Sequence, residues 1–473
     1  MIEVGRNSIV VRNVDKKSEE YKKAQYLYSL YDKVTHKYTF SAYMEEDNDL
    51  YFPSSITLEE IEKIFPNEEV SVDFKNTAKA KTVSYNMVHQ PKNELQNKSI
   101  QFLLKMKRDL EIHQRFLSLE TGSGKTYVTI NIISQLKKKP MIIVDTVDLA
   151  DQWKREFLKH TDLNEEDILI LSGQESIDSE IAKPTAKVYV AIHRTLSNMI
   201  SNDINSINVL MNKLGIGIRI FDEAHVEFGN ICRINSLSNV EYTIYLTATP
   251  SRSNFNDNSL YAKIFRKVPY FNGKEMSGEK YHTVVLYRYD SCPSFEDKIS
   301  VRTKYGFSQA KWANYILNDG YEKLLEAINE IITKFKLDKR NMKIAMMFPT
   351  IELIKKVKKD LEELFPDVFT IGTFIGEINK NKRLDELNKS LILTNDKIFD
   401  KAIDVQDLEI LINFVPIGSL VKTEQIIGRL RNREDSQSIL IDATDIGFDE
   451  CVRNEKLRKR FYKKKAKKII EIK

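Results

Sequence analysis

Cysteine is scarce in this 473-residue chain: Cys232, Cys292 and Cys451 stand far apart with no paired spacing. That scatter excludes a disulfide framework and a zinc-binding module, and it fits a reducing, cytosolic compartment. No apolar run approaches the roughly 18 residues that cross a bilayer. Glu3 and Arg6 stand where a secretory leader would carry its apolar core, so a soluble protein without membrane attachment is expected. Charge of one sign is not in excess either, because 73 basic and 68 acidic residues leave only +5. Such a balance does not by itself announce a nucleic-acid partner. Internal repeats and low-complexity segments are missing, apart from a lysine-rich end in which residues 453–473 carry eleven Lys or Arg against two Glu. That tail can lie along phosphates or form a plain solvated helix. Hydrophobic residues, at 42%, are ample for packed domains, and the length exceeds one ordinary core, so two or three domains are expected.

Residues 119–126 read Leu-Glu-Thr-Gly-Ser-Gly-Lys-Thr. Gly122 and Gly124 permit backbone angles that bring successive N–H groups around a phosphate. Thr121 and Ser123 complete the loop, Lys125 supplies a point charge, and Thr126 offers a hydroxyl to Mg²⁺. The general loop pattern has Gly where this chain has Leu119. The flanks fit a phosphate site: Arg115 to Leu119 reads as a short buried strand, and Tyr127 to Ile133 continues with apolar residues at helical spacing. A strand, a glycine turn and a helix N-terminus together hold a phosphate through free N–H groups and the helix dipole.

Asp222-Glu223-Ala224-His225 follows, at the end of the apolar run Ile216 to Phe221. That run predicts a buried parallel strand delivering two carboxylates at its carboxyl end, the edge where ligands bind in open α/β sheets. Asp222 can hold Mg²⁺, and Glu223 can orient and deprotonate an attacking water. Alone, two acids after a strand would read as the start of a solvated loop. Behind a phosphate loop they read as the second half of a nucleoside triphosphatase.

These motifs resemble the ordered motifs of the superfamily 2 helicases and translocases, which can be followed over roughly residues 93–450. Leu95-Gln96 looks like the glutamine motif that reads adenine in that family. Met141 to Leu149 with Gln152-Trp153 is similar to motif Ia, and Val188 to Leu196 to motif Ib. Asp222 to His225 is motif II in its Asp-Glu-x-His form, and Thr247-Ala248-Thr249-Pro250 is motif III. Lys343 to Phe348 resembles motif IV, with Gly376 and Arg383 in the segment after it. Leu391 to Asn395 and then Ala402-Ile403-Asp404-Val405 resemble motif V, and Gln425-Ile426-Ile427-Gly428-Arg429 is motif VI. Two departures stand out. Ala402 replaces the usual motif V glycine, and the second motif VI arginine falls on Asn432, flanked by Arg431 and Arg433. Because one residue turns a helical side chain by about 100°, Arg429 is expected as an arginine finger and Arg431 is preferred as the second, with Arg433 open.

The resemblance implies an α/β fold of two tandem RecA-like parallel-sheet lobes with a small N-terminal α+β accessory domain. The expected boundaries are 1–90 for the accessory domain, 91–255 for lobe 1 and 256–312 for a connecting segment or insertion. Lobe 2 is expected at 313–450 and a basic C-terminal helix at 451–473. Within 1–90, Ile2 to Val4 and Ser8 to Val11 predict a small hairpin, and Thr57 caps a helix with Glu60 three residues on. The polar stretch between Gly273 and Gly278 reads either as a strand-separating hairpin or as an ordinary connection.

By the same resemblance, ATP is the cofactor with Mg²⁺. Gln96 would select adenine, Thr121 to Thr126 would cradle phosphates, and Asp404 would also face the nucleotide. Thr126 and Asp222 would hold the metal, Glu223 would activate water, and Arg429 and Arg431 would act on the γ-phosphate. His225, Thr247, Thr249 and Gln425 would couple nucleotide state to the bound strand, which Thr146, Arg194, Thr195 and Thr394 would contact. The overall arrangement looks most like the phage UvsW-like helicases, and more distantly like the poxvirus transcript-release and eukaryotic Rad25 types. It implies forked, branched or single-stranded DNA as partner, with unwinding, branch migration or fork regression as output in recombination, replication or repair. A monomer in the host cytoplasm, meeting recombination or replication proteins, is expected. A duplex translocase subunit of a restriction or repair complex and an ATP-gated RNA helicase or binding module remain as other readings.

Overall fold

The computed structural model describes the chain except residues 7, 34, 75–76, 108–112, 121, 249–254, 274–281, 305, 340–341, 376–384, 400–404, 406–407, 431–437 and 473. It divides into two units, Met1–Ser277 and Gly278–Lys473. No helix among the described residues is long and apolar enough to cross a membrane.

The first unit begins with a five-stranded sheet of β1 (Ile2–Val4), β2 (Ser8–Val11), β5 (Met44–Glu46), β6 (Asp49–Pro53) and β7 (Val70–Val72), in the order β5-β6-β2-β1-β7. β1 and β2 pair antiparallel, Ile2 opposite Val11, as their flanking turn predicts. A separate hairpin joins β3 (Ser29–Asp32) to β4 (Lys37–Ser41). The Thr57 capping box forms, with Glu60 reaching back to the Thr57 N–H.

This small sheet shares its core with the parallel sheet beyond it. One continuous apolar cluster runs from Ile2, Phe52 and Ile61 to Phe221, Phe228 and Tyr245. The Phe40 ring packs 5.6 Å from Phe228, and Lys263 donates to the Leu27 carbonyl at 2.9 Å. Residues 78–88, expected in the accessory domain, are instead tied to the parallel-sheet region: Lys81 N–H donates to Gly215 O at 2.8 Å, and Thr82 bridges Lys138.

The parallel sheet holds β8 (Gln114–Ser118), β9 (Pro140–Val144), β10 (Ile168–Leu171), β11 (Val188–Ile192), β12 (Ile218–Phe221), β13 (Tyr242–Thr247) and β14 (Tyr270–Asn272). Its order is β10-β11-β9-β12-β13-β8-β14, and every pair is parallel. The apolar runs in β9, β11 and β12 are buried throughout, as strands covered on both faces require.

The second unit repeats the design with β15 (Thr283–Tyr289), β18 (Lys343–Phe348), β19 (Ile371–Phe374), β20 (Leu391–Asn395), β21 (Leu408–Asn413), β22 (Ile439–Asp445) and β23 (Lys468–Ile472). A two-residue ladder of β16 (Arg302–Thr303) and β17 (Gly306–Phe307) lies between the first two. The order β19-β20-β18-β21-β22-β15-β23 is again all parallel. With the seven strands of each sheet counted in chain order, both sheets read 3-4-2-5-6-1-7.

Two expectations change. Residues 256–312 do not form one connecting segment: helix Phe255–Phe265 and β14 belong to the first unit, while β15 is the opening strand of the second sheet. The stretch between Gly273 and Gly278 lies largely outside the described residues. The basic C-terminus is not one helix. Helix Asp449–Lys465 ends at Ala466, and Lys468–Ile472 joins the sheet edge beside β15, because its isoleucines bury more apolar surface there than a solvated helix would.

Candidate active site at the carboxyl edge of the first parallel sheet

β13 lies between β12 and β8, so the chain segments leaving these three strands meet at one edge of the sheet. After β8, the loop turns through Gly122 and Gly124, with φ of +82° and +89°. Helix Lys125–Leu136 starts at Gly124 and carries no acidic residue in its first turn, leaving its N–H groups and positive dipole end to an anion. A side chain at Gly124 would also meet the Nε2 of Gln96. The backbone angle calls for glycine there, and a side chain would also displace the Gln96 amide.

Gln96 is buried beside the loop. Its Nε2 donates to Ser123 O at 3.3 Å, and its Oε1 accepts from Lys92 N–H at 2.8 Å. One donor and one acceptor position of the amide remain for a ligand.

After β12, the Lys125 ammonium meets Glu223 Oε1 at 2.9 Å. Glu223 adopts φ +45°, a left-handed conformation costing a non-glycine residue about 1 kcal/mol or more. Strain of this kind persists where the surroundings over-determine a functional turn. Asp222 Oδ2 accepts the Trp153 indole N–H at 2.8 Å, and Oδ1 accepts the Glu223 N–H at 2.9 Å. Burial, and then the adjoining Glu223 carboxylate, raise the Asp222 pKa, while Lys125 and Trp153 oppose that shift. A carboxylate with about four acceptor positions thus keeps one on each oxygen among the described residues. That fits a hard divalent cation beside phosphate oxygens, with the Thr126 hydroxyl as a further oxygen donor from the loop.

β13 staples the two motifs together. Thr247 O accepts from Leu119 N–H at 3.1 Å on one side, and Leu246 O accepts from Ala224 N–H at 2.8 Å on the other. His225 Nδ1 lies 2.8 Å from Thr247 Oγ1 and 3.4 Å from Glu223 Oε2, so the residues expected to couple nucleotide and strand are in contact. Thr249 and Thr121 lie outside the described residues.

Of the expected strand contacts, Thr146 caps helix Val147–His160, its Oγ1 accepting from Leu149 N–H at 3.3 Å. Arg194 is exposed and Thr195 half-buried in the first turn of helix His193–Asn202. Thr394 does not fit a surface contact. It is fully buried in β20, and its hydroxyl donates to Phe374 O at 2.9 Å. In the second unit, Gln425 sits on helix Leu420–Ile427 and Arg429 in the turn after it, its N–H donating to Ile426 O at 3.1 Å. Asp404, Arg431 and Arg433 lie outside the described residues, as do Gly376, Arg383 and Ala402.

The sequence did not reveal the part played by Trp153. It lies 69 residues from Asp222, and no local pattern announces that the indole N–H ends on that carboxylate.

Residues 89–252 match the family described as "Type III restriction enzyme, res subunit". Among curated proteins, the chain is 24% identical over 396 residues to "DNA 3'-5' translocase XPB2" of Sulfurisphaera tokodaii, covering 75% of this chain and 81% of that protein. It is 28% identical over 353 residues to "Putative helicase 161L" of Invertebrate iridescent virus 6, covering 70% of this chain and 72% of that protein. Among solved structures, S. cerevisiae Dbp5 bound to RNA and ADP BeF3 superposes with a TM-score of 0.56 at 11% identity, over 80% of this chain and 89% of that one. That likeness concerns the fold.

Proposed function

We propose that this chain, a superfamily 2 helicase that hydrolyses ATP, converts that hydrolysis into movement on DNA. The observation that carries the reading is the convergence at one sheet edge of the glycine loop, the Lys125–Glu223 pair and the half-satisfied Asp222 carboxylate. The loop N–H groups from Gly122 to Thr126 would hold the β- and γ-phosphates, and Lys125 would leave Glu223 to neutralise them. Glu223, released from the lysine and beside His225, would take a proton from the water whose oxygen bonds to the γ-phosphorus as the bond to the bridging oxygen of ADP breaks. Thr126 and Asp222 would hold Mg²⁺, which would supply charge neutralisation on the phosphate oxygens. Gln96 would use its remaining amide positions on adenine, and Asp404 would contribute on the nucleotide side. Arg429, with Arg431 as the second finger, would stabilise charge developing on the γ-phosphate, an effect worth about 10³ to 10⁵ in rate, and Gln425 would couple nucleotide state to the bound strand.

The finer proposal is that forked or branched DNA is the preferred substrate, contacted through Thr146, Arg194 and Thr195. The relative named as a DNA 3'-5' translocase supports DNA. ATP turnover measured side by side with single-stranded DNA, duplex, fork, four-way junction and RNA tests this. Strongest stimulation by fork and junction is expected; equal stimulation by RNA would remove the preference. A second reading, translocation on duplex without strand separation, is favoured by the restriction-subunit match over residues 89–252. Triplex displacement without strand displacement on the same preparation would select it.

A further inference from the structure

The chain has two tryptophans, and each donates its indole N–H to an aspartate at the carboxyl edge of a parallel sheet. In the second unit, Trp312 Nε1 lies 3.1 Å from Asp445 Oδ2. The rest of that carboxylate is taken by Ser291 N–H at 3.2 Å, Ser291 Oγ at 2.6 Å and Gly447 N–H at 3.0 Å. All of its roughly four acceptor positions are filled, so it is a structural clasp. In the first unit, Trp153 makes the same bond to Asp222, yet among the described residues only the Glu223 N–H joins it. Here the indole fixes a carboxylate without saturating it.

Trp153 is 2% exposed on helix Val147–His160, packed with Ala150 and Phe157 on the buried face. The helix N-cap is Thr146, seven residues earlier. Thr146 has extended backbone and caps the helix on which Trp153 lies about two turns further on. A polymer phosphate drawn to the capped end and a metal-binding carboxylate two turns on are therefore held by one rigid element.

We infer that Trp153 is a positioning residue: its N–H sets the Asp222 carboxylate for Mg²⁺, and its helix transmits strand contact at Thr146 to that carboxylate. This rests on Asp222 being the metal-side carboxylate and Thr146 a strand contact, as proposed above. Partners one step removed from a metal typically change its affinity by about 10- to 100-fold.

The test is Trp153→Phe in the full chain, which keeps the aromatic packing and deletes the donor. Binding of a fluorescent ADP is measured with and without Mg²⁺, without turnover. Affinity without Mg²⁺ should match wild type, while the Mg²⁺ concentration for half-maximal enhancement should rise about tenfold or more. The stimulation of ATP turnover by single-stranded DNA, as a ratio to basal turnover, should fall in the same variant. Trp312→Phe, which removes the equivalent donor from Asp445, should leave the Mg²⁺ dependence unchanged. That contrast is one a general packing defect would not produce. If Trp153→Phe fails to fold, the Trp312→Phe protein leaves Trp153 as the sole indole, and its emission should shift when Mg²⁺ is added to the ADP-bound protein. Unchanged Mg²⁺ dependence in Trp153→Phe, or silent Trp153 emission while Mg²⁺ tightens ADP binding, overturns the inference. Wild type whose ADP binding ignores Mg²⁺ altogether overturns the reading beneath it as well.

Discussion

The two parallel sheets share one strand order and differ in what happens where the chain leaves them. In the first sheet, the opening strand β8 runs into a glycine loop with two left-handed residues, and Asp222 after β12 keeps acceptor positions unfilled among the described residues. In the second, the opening strand β15 runs into Asp290-Ser291-Cys292-Pro293-Ser294, and Ser291 is spent on Asp445 at the end of β22. Deeper in that sheet Asp442 is likewise closed off, accepting from Arg458 at 2.8 and 3.0 Å, from Tyr462 at 2.9 Å and from Asn413 at 2.9 Å. On the same topology, the carboxylates Asp442 and Asp445 of the second unit are closed internally, while Asp222 of the first keeps open acceptor positions among the described residues. What distinguishes them is whether polar groups are paired internally or left for a ligand.

Four experiments press on that contrast. The largest effect is expected from Lys125→Ala and Glu223→Gln, which should lower ATP turnover by about 10³-fold or more with far-UV circular dichroism unchanged. A Lys125→Ala protein with full turnover would dissolve the distinction between the edges.

Arg458→Ala strips the counter-charge from a fully buried Asp442, and breaking such a pair costs about 3–5 kcal/mol. Urea unfolding of the second unit should shift accordingly, whereas ATP affinity of the first unit should not.

His193 is next. It is buried at the head of its helix, stacked on Phe221 at 6.0 Å, with neither ring nitrogen hydrogen-bonded among the described residues. Burial lowers its pKa to about 4, with Asp145 opposing. The unfolded chain therefore takes up a proton near pH 6.5 that the folded chain refuses until about 4. Stability is intact above pH 6.5 and is lost as pH falls across that window, by about 3 kcal/mol in all. His193→Phe should flatten this dependence, seen as the difference in urea midpoint between pH 7.5 and 5. Equal slopes in both proteins would refute it.

The smallest effect belongs to Asp445→Asn, which turns acceptor positions into donors facing donors. A loss of about 1–3 kcal/mol with nucleotide binding untouched is expected. A loss of ATP binding instead would mean that the second edge is not merely structural.

Features carried by short segments were legible in the sequence. The apolar runs of β9, β11 and β12, the Gly122–Gly124 turn, and the position of Asp222 after a buried strand are all set by neighbours a few residues apart. Contacts between distant segments were not. The merging of the N-terminal sheet with the Phe228 side of the parallel sheet depends on residues more than 150 positions apart. The resemblance puts Thr394 on the bound polynucleotide, and only the neighbouring strand β19 shows that Phe374 O takes its hydroxyl. The last strand was concealed by composition, since lysines surround an Ile469-Ile470-x-Ile472 pattern that only an open sheet edge makes useful.

The most direct test is a structure of the full chain with ADP, beryllium fluoride and Mg²⁺. The account predicts the phosphate mimic within hydrogen-bond reach of the Gly122–Thr126 backbone, Lys125 Nζ turned from Glu223 to the mimic, and Mg²⁺ held on the Thr126 and Asp222 side. A nucleotide bound elsewhere, with the Lys125–Glu223 pair still closed at 2.9 Å, would contradict it.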